Sequence, residues 1–282
     1  MMCTALNHEK YKLAVPEWCL PGDSIFSIRL ASELGLDGLQ LEAGFYETGF
    51  KLGHPRVREL YLEAAAEHNI ELISIVMNDL NIHGLRNGRG TEFGDIAYEG
   101  LDIALEAVAA LHIPVLMIPS FENNDMHTPQ DIENTVEALQ YACDKAAKDN
   151  VIIATETAIA SDQLKELFAQ VNRDNLRLFY DSQNYMCFRG YNPMEHLPVV
   201  YPYMVNQLHV KDGFGSAYSS KCLGEGNSHF EEQIQFLKEN GYRGWFVFEN
   251  YYTKLPLRRE MDDPIDLLKK DIRSLTQALT KD

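Results

Sequence analysis

Four side chains of metal-ligand type stand at the ends of four short apolar runs in the second half of the chain. Glu156 closes VIIATE, Asp181 closes LRLFYD, His209 closes VNQLH and Glu249 closes WFVFE. Three carboxylates with one imidazole make a hard, oxygen-rich donor set carrying about three negative charges. Such a set suits Mn2+, Mg2+ or Co2+ better than a structural zinc site, which favours thiolates. One divalent cation is therefore the expected cofactor, with Mn2+ first and Mg2+, Co2+ or Zn2+ as alternatives. Taken singly, each carboxylate reads equally well as a helix cap or salt-bridge partner, and His209 reads as a packed histidine. Four together, each at the same place on successive units, point to one shared ion.

Those placements require strands. Apolar runs of five or six residues with β-branched and aromatic content signal buried strands. Four earlier runs match: KLAVPEW at 12–18, GLQLEA at 38–43, IELISIV at 70–76 and IPVLMIP at 113–119. Helical segments lie between them, at 24–34 before Gly35, from Pro55 to His68 and over 95–111. Thr128, Pro129 and Asp131 supply the cap, N1 proline and N3 carboxylate of the next helix, whose buried stripe includes Cys143. Further helices are read at 161–171, from Pro193, at 229–240, and from Asp263 and Pro264 to Leu279. The segment after Asp181, with Asn184 and Arg189, reads as a loop. The glycine-rich stretches 78–94 and 211–229 also read as loops, of a length that is usually functional or mobile.

Eight strand-helix units without a composition break predict one (β/α)8 TIM barrel domain over 1–282. A doubly wound open sheet is the runner-up, and it lacks its GxGxxG after the first strand. In a barrel all strand ends open onto one face, so the four residues become neighbours.

The 282 residues are 45% apolar, enough for a full core, and carry 42 acidic against 25 basic side chains, a formal charge of -17. Neither nucleic acid nor an anionic membrane is an expected partner of so acidic a chain. The N-terminal MMCTALNHEKYK has no apolar h-region, and no run reaches the ~18 apolar residues that span a bilayer, so a cytoplasmic location is expected. Cys3, Cys19, Cys143, Cys187 and Cys222 form no CxxC pair, which argues against a disulfide framework or a zinc knuckle.

The strand-ending Glu, Asp, His and Glu, with HVKD at 209–212, LGEG at 223–226 and GYRGWFVFEN at 241–250, resemble the xylose-isomerase-like TIM barrels. That family comprises sugar and sugar-phosphate isomerases and epimerases, with inosose and 3-dehydroshikimate dehydratases and endonuclease IV as relatives. Where many ketose 3-epimerases carry D-x-x-H, this chain has Asp181-Ser-Gln-Asn184, which resembles the pentulose-5-phosphate 3-epimerases. In that branch a His- and Arg-containing segment follows strand three, and the nearest counterparts here are His83, Arg86 and Arg89. The resemblance implies a sugar or sugar-phosphate substrate held by Asn184, Lys211, Glu225 and His83. It implies Asp212 as a support for His209 or its loop, and a homodimer or homotetramer. Trp18, Phe45, Tyr46, Phe121, Tyr185 and Tyr251 are aromatic candidates for a sugar ring face.

A C–H beside a ketone is too weak an acid for an unaided carboxylate, so a Lewis-acidic cation has to stabilise the enediolate. Epimerisation also needs a base on one face of the carbon and an acid on the other, roles assigned to Glu156 and Glu249. The expected function is thus a metal-dependent ketose 3-epimerase, with a dehydratase of the inosose or 3-dehydroshikimate type as the alternative. A DNA-repair endonuclease would need a basic groove, and a non-catalytic barrel would not need the ligand set.

Overall fold

A computed structural model describes residues 11–22 and 24–281. Cys3 and most of the polar N-terminal stretch lie outside the described residues. Eight parallel strands form a closed barrel: β1 (Lys12–Pro16), β2 (Gly38–Glu42), β3 (Glu71–Val76), β4 (Val115–Pro119), β5 (Ile152–Glu156), β6 (Leu176–Asp181), β7 (Met204–Val210) and β10 (Trp245–Phe248). Closure comes from β1 pairing with β10, Leu13 opposite Phe246. Between β7 and β10 lies a two-stranded antiparallel hairpin, β8 (Asp212–Phe214) and β9 (Ala217–Lys221).

The surrounding helices are α1 (Phe26–Glu33), α2 (Pro55–His68), α3 (Glu92–Ala110), α4 (Pro129–Ala146), α5 (Ser161–Val171), α6 (Asn184–Arg189), α7 (Pro193–Val200), α8 (Phe230–Glu239) and α9 (Pro264–Thr280). The start of α4 follows its caps: Thr128 accepts from the Asp131 amide, and the Asp131 carboxylate accepts from the Thr128 amide. Helix α3 begins earlier than its apolar spacing predicts, because Thr91 caps it by accepting from the Gly94 amide. No helix among the described residues is long and apolar enough to cross a membrane.

Two expected loops are ordered elements instead. The segment at 184–189 is helix α6, because Asp181 Oδ1 accepts the amides of Gln183 (2.7 Å) and Asn184 (2.8 Å) and so starts the turn. The stretch after His209 folds into the β8–β9 hairpin and then a tight turn around Asp212.

Side chains alternate across each strand, so parity decides which of them enter the barrel. Leu176, Leu178 and Tyr180 of β6 pack outward in the helix-facing core, whereas Phe179 belongs to the interior cluster. On β10, Phe246 and Phe248 face outward while Trp245 and Val247 fill the interior. The same holds for Ile153 against Ala154 on β5, and for Leu208 against Val205 on β7. Glu156, Asp181, His209 and Glu249 all share the parity of the interior residues of their strands.

Candidate metal centre and active site

Parity and strand register bring the four residues together at one end of the barrel. Asp181 and His209 are direct register partners, and Val247, two residues before Glu249, pairs with His209. Although β10 ends at Phe248, the Glu249 amide still donates to Val210 O at 3.0 Å, so the side chain stays in register. One ligand atom from each of Glu156, Asp181, His209 and Glu249 lies within 4.8 Å of all the others, and all four residues are buried.

His209 presents Nδ1 to the carboxylates, 2.9 Å from Glu156 Oε1 and 3.2 Å from Glu249 Oε2. Its other nitrogen, Nε2, is 2.7 Å from Gln40 Oε1. The Gln40 amide is oriented in turn, since its Nε2 donates to Ser74 Oγ at 3.0 Å. Gln40 therefore accepts from His209 Nε2–H and turns Nδ1 toward the centre. Sequence reading missed Gln40, whose only signal is its parity as a polar residue inside an apolar strand.

Lys211 adds a buried cation, 2.6 Å from Glu249 Oε2 and 3.0 Å from Asp181 Oδ2, with its Nζ also donating to Tyr218 OH. The ion pair with Asp181 lacks hydrogen-bond alignment, and Asp181 Oδ2 is a buried oxygen that accepts no hydrogen bond. A buried carboxylate oxygen held by an ion pair but by no hydrogen bond, beside an imidazole nitrogen and two further carboxylates, is a donor set that suits a divalent cation. The residues present fit the metal.

Burial raises the Glu156 carboxyl to about 6 even against the pull of His209. Burial also raises Asp181, opposed by Lys211. For Glu249 burial acts upward too, but the charges of His209 and Lys211 outweigh it and hold the group well below the usual carboxylate range. Burial alone would lower His209; Glu249 and Glu156 override it and bring the imidazole up to about 10. Without metal, His209 and Lys211 are the counterions of the three carboxylates. With His209 neutral, a divalent ion and Lys211 together cancel those three charges.

Above this centre is a cavity of about 390 Å3, within the roughly 300–1,000 Å3 of small-molecule sites. Glu156 and Glu249 open into it, with Asn184, Asn78 and Asn81 as polar walls. Asn184 Nδ2 donates to Glu156 Oε1 at 3.3 Å, and its Oδ1 is buried without a donor. The rim is aromatic: Phe121 stacks on Phe188 at 4.5 Å, and Tyr218 leans on Tyr251 at 5.1 Å. Phe121 and Tyr251 were expected there from sequence, while Phe188 and Tyr218 come from the helix and hairpin that were read as loops. Tyr185 packs instead against Tyr180 and His196, away from the cavity. A larger groove of about 860 Å3 beside α8 contains none of the four ligand-type residues.

Two expected substrate contacts are placed elsewhere. Glu225 is exposed and pairs with Lys270 of α9 at 2.7 Å, because the turn that carries it points away from the barrel mouth. His83 is enclosed between Tyr46 and Phe93, with Nδ1 3.0 Å from Asp79 Oδ2, and Asn81 reaches the cavity in its stead. Arg86 is held by Asn123 O at 2.6 Å, and Arg89 lies 3.6 Å over the Tyr98 ring. Asp212 does not touch His209. Its carboxylate accepts the amides of Gly213, Gly224, Gly226 and Ser228 at 2.8 to 3.3 Å, so HVKD and LGEG are two halves of one folded turn.

Comparison with known proteins agrees with this architecture. The family model described as xylose isomerase-like TIM barrel matches residues 28–278. The 2-epi-5-epi-valiolone 7-phosphate 2-epimerase of an Actinoplanes species is 25% identical over 227 residues, 80% of this chain and 82% of that protein. D-allulose 3-epimerase from Methylomonas sp., solved with D-allulose, superposes with a TM-score of 0.73 at 18% identity, over 95% of this chain and 97% of that one. The IOLI protein, solved with a zinc atom, gives a TM-score of 0.73 at 17% identity, over 96% of this chain and 98% of its own. At such identities the solved structures speak for the fold alone. Its closed eight-stranded barrel and the family match over residues 28–278 make this chain a member of the xylose isomerase-like TIM barrel family.

Proposed function

We propose that the chain, as one barrel domain, is a divalent-metal-dependent epimerase or isomerase of a ketose-type sugar, most simply a ketose 3-epimerase. The observation that carries this reading is the buried Glu156, Asp181, His209 and Glu249 set beneath a sugar-sized cavity. The epimerase relative and the D-allulose-bound barrel support it. The four side chains would hold the ion, Mn2+ by preference for an oxygen-rich set, and a zinc-bearing neighbour keeps Zn2+ among the alternatives. When bound, such an ion supplies Lewis acidity toward a ketone and its neighbouring hydroxyl.

The protein's own part is proton transfer and positioning. Glu156 and Glu249 stand on β5 and at the end of β10, with β6 and β7 between them. A sugar seated between them exposes one face of its reacting carbon to each carboxylate. One, ionised, removes the proton beside the ketone, and the other, protonated at the start of the step, returns its proton on the opposite face, which inverts the centre and leaves the two carboxyls with exchanged protonation states. Asn184 steadies Glu156 through its amide, and Lys211 steadies Glu249. The aromatic rim covers the ring and limits water.

Metal-loaded protein incubated in D2O with a panel of ketoses, ketose phosphates and inososes, followed by proton NMR, tests this. Loss of the signal beside the carbonyl, with a new epimer, is expected. Glu156→Gln and Glu249→Gln should each lower exchange by at least about 100-fold with the fold intact. A conjugated carbonyl formed with loss of water would make the enzyme a dehydratase, and no exchange with any compound would end the catalytic reading.

A further inference from the structure

Resting on that reading, we infer that the cavity takes an uncharged polyhydroxy ketone and turns away its phosphate ester. The selection is made by Asn184, Asn81 and Glu122. This is not what the Asn184 resemblance to pentulose-5-phosphate enzymes implies, nor what the 7-phosphate substrate of the Actinoplanes relative suggests.

The first ground is the unsatisfied hydrogen-bonding capacity of the walls. Asn184 is 2% exposed and lines the cavity, and its Oδ1 has no donor among the described residues. Its orientation is fixed because Nδ2 is committed to Glu156. Asn81, also in the lining, likewise carries a buried Oδ1 without a donor. Buried acceptors call for ligand donors. A sugar hydroxyl donates and accepts, whereas a phosphate dianion offers acceptor oxygens only.

The second ground is charge. Among the described residues no lysine or arginine lines the cavity, while Glu122, Glu156 and Glu249 do. Three of the neighbouring cations are held by carboxylates, and the fourth, Lys254, is exposed over an aromatic ring. Lys211 is pinned by Glu249 and Asp181, and Arg189 clasps both Asp125 oxygens at 2.6 and 2.7 Å. Lys51 is bound to Glu17 at 2.6 Å, while exposed Lys254 lies over the outer Tyr251 ring, 4.3 Å from its centroid. Glu122, at the cavity wall, repels a phosphate ester. The Phe121, Phe188, Tyr218 and Tyr251 rim suits the C–H faces of a neutral sugar.

The test pairs each ketose with its own terminal phosphate ester on Mn2+-loaded full-length protein, measuring kcat/KM from exchange in D2O. The free ketose should exceed its ester by at least about tenfold. Glu122→Lys should shift that ratio toward the ester by about tenfold. Inorganic phosphate titrated calorimetrically into the same protein should give no saturable heat. Preference for the ester, or saturable phosphate binding abolished by Lys254→Ala, would overturn the inference while leaving the epimerase standing. Exchange with neither member of any pair would overturn both.

Discussion

His209 Nε2 lies 2.7 Å from Gln40 Oε1, across the barrel from a strand that supplies none of the four residues of metal-ligand type. Gln40 is fully buried, and its amide is turned by Ser74 so that oxygen, not nitrogen, meets the imidazole. The consequence is that the histidine, once neutral, is held as its Nε2–H tautomer with Nδ1 turned toward the carboxylates.

Gln40→Leu should therefore weaken Mn2+ retention by about 10–100-fold, the usual cost of losing a partner behind a ligating histidine. Gln40→Glu keeps an acceptor and should recover most of it. Metal content after dialysis, with circular dichroism as the check on folding, decides the matter. Unchanged retention in a folded Gln40→Leu protein would rule out the positioning role.

Metal uptake should release a proton. Glu249 and Glu156 bring the metal-free imidazole of His209 up to about 10, so it is protonated at neutral pH and must be neutral to ligate. Affinity should then climb with pH, by up to roughly tenfold per unit between about pH 6 and 8. Calorimetric titrations in buffers of different ionisation enthalpy would count the proton. Uptake without proton release would mean that His209 is not a ligand.

Gly226→Ala should destabilise the turn beneath the hairpin. A Cβ there would sit 2.2 Å from Asp212 Oδ1 and 2.4 Å from Gly213 O, in the middle of the amide cradle. A loss of about 1–3 kcal/mol is expected in denaturant unfolding, typical of overpacking. Asp212→Ala removes the acceptor of four amides and should cost a similar amount. Wild-type stability in both would show that the cradle is not needed.

Asp271 of α9 gives stability a pH dependence of defined sign. It accepts from the Leu223 amide, Asn250 Nδ2 and Tyr252 OH, and burial raises its carboxyl from 3.8 to about 6. The folded state thus favours the protonated form. Its contribution is complete below pH 3.8 and is lost as pH rises through about 6, about 3 kcal/mol in all. Wild-type stability minus that of Asp271→Asn should fall by this amount between about pH 4 and pH 7. A flat difference would show that Asp271 titrates normally.

Much of the barrel end that gathers Glu156, Asp181, His209 and Glu249 was readable from the chain alone because strand periodicity is local. An apolar run ending in Glu156 or Asp181 is visible without coordinates, and β-α alternation implies a barrel whose strand ends meet. Caps are equally local, so α4 begins where Thr128 and Asp131 place it.

What tertiary structure alone decided are relationships across the barrel and within its loops. Gln40 stands 169 residues from His209, and only barrel closure makes them partners. Short or glycine-rich stretches such as 184–189 and 211–229 carry little periodicity, so nothing in them announces that Asp181 starts a helix or that Asp212 gathers a hairpin and turn. Glu225 and His83 were plausible by residue type, but the direction in which each loop leaves the barrel turned one toward Lys270 and the other between Tyr46 and Phe93. Composition set the chain's overall negative charge. Which cations reach the cavity depends on where each partner folds, as the Arg189–Asp125 and Lys211–Glu249 pairs show.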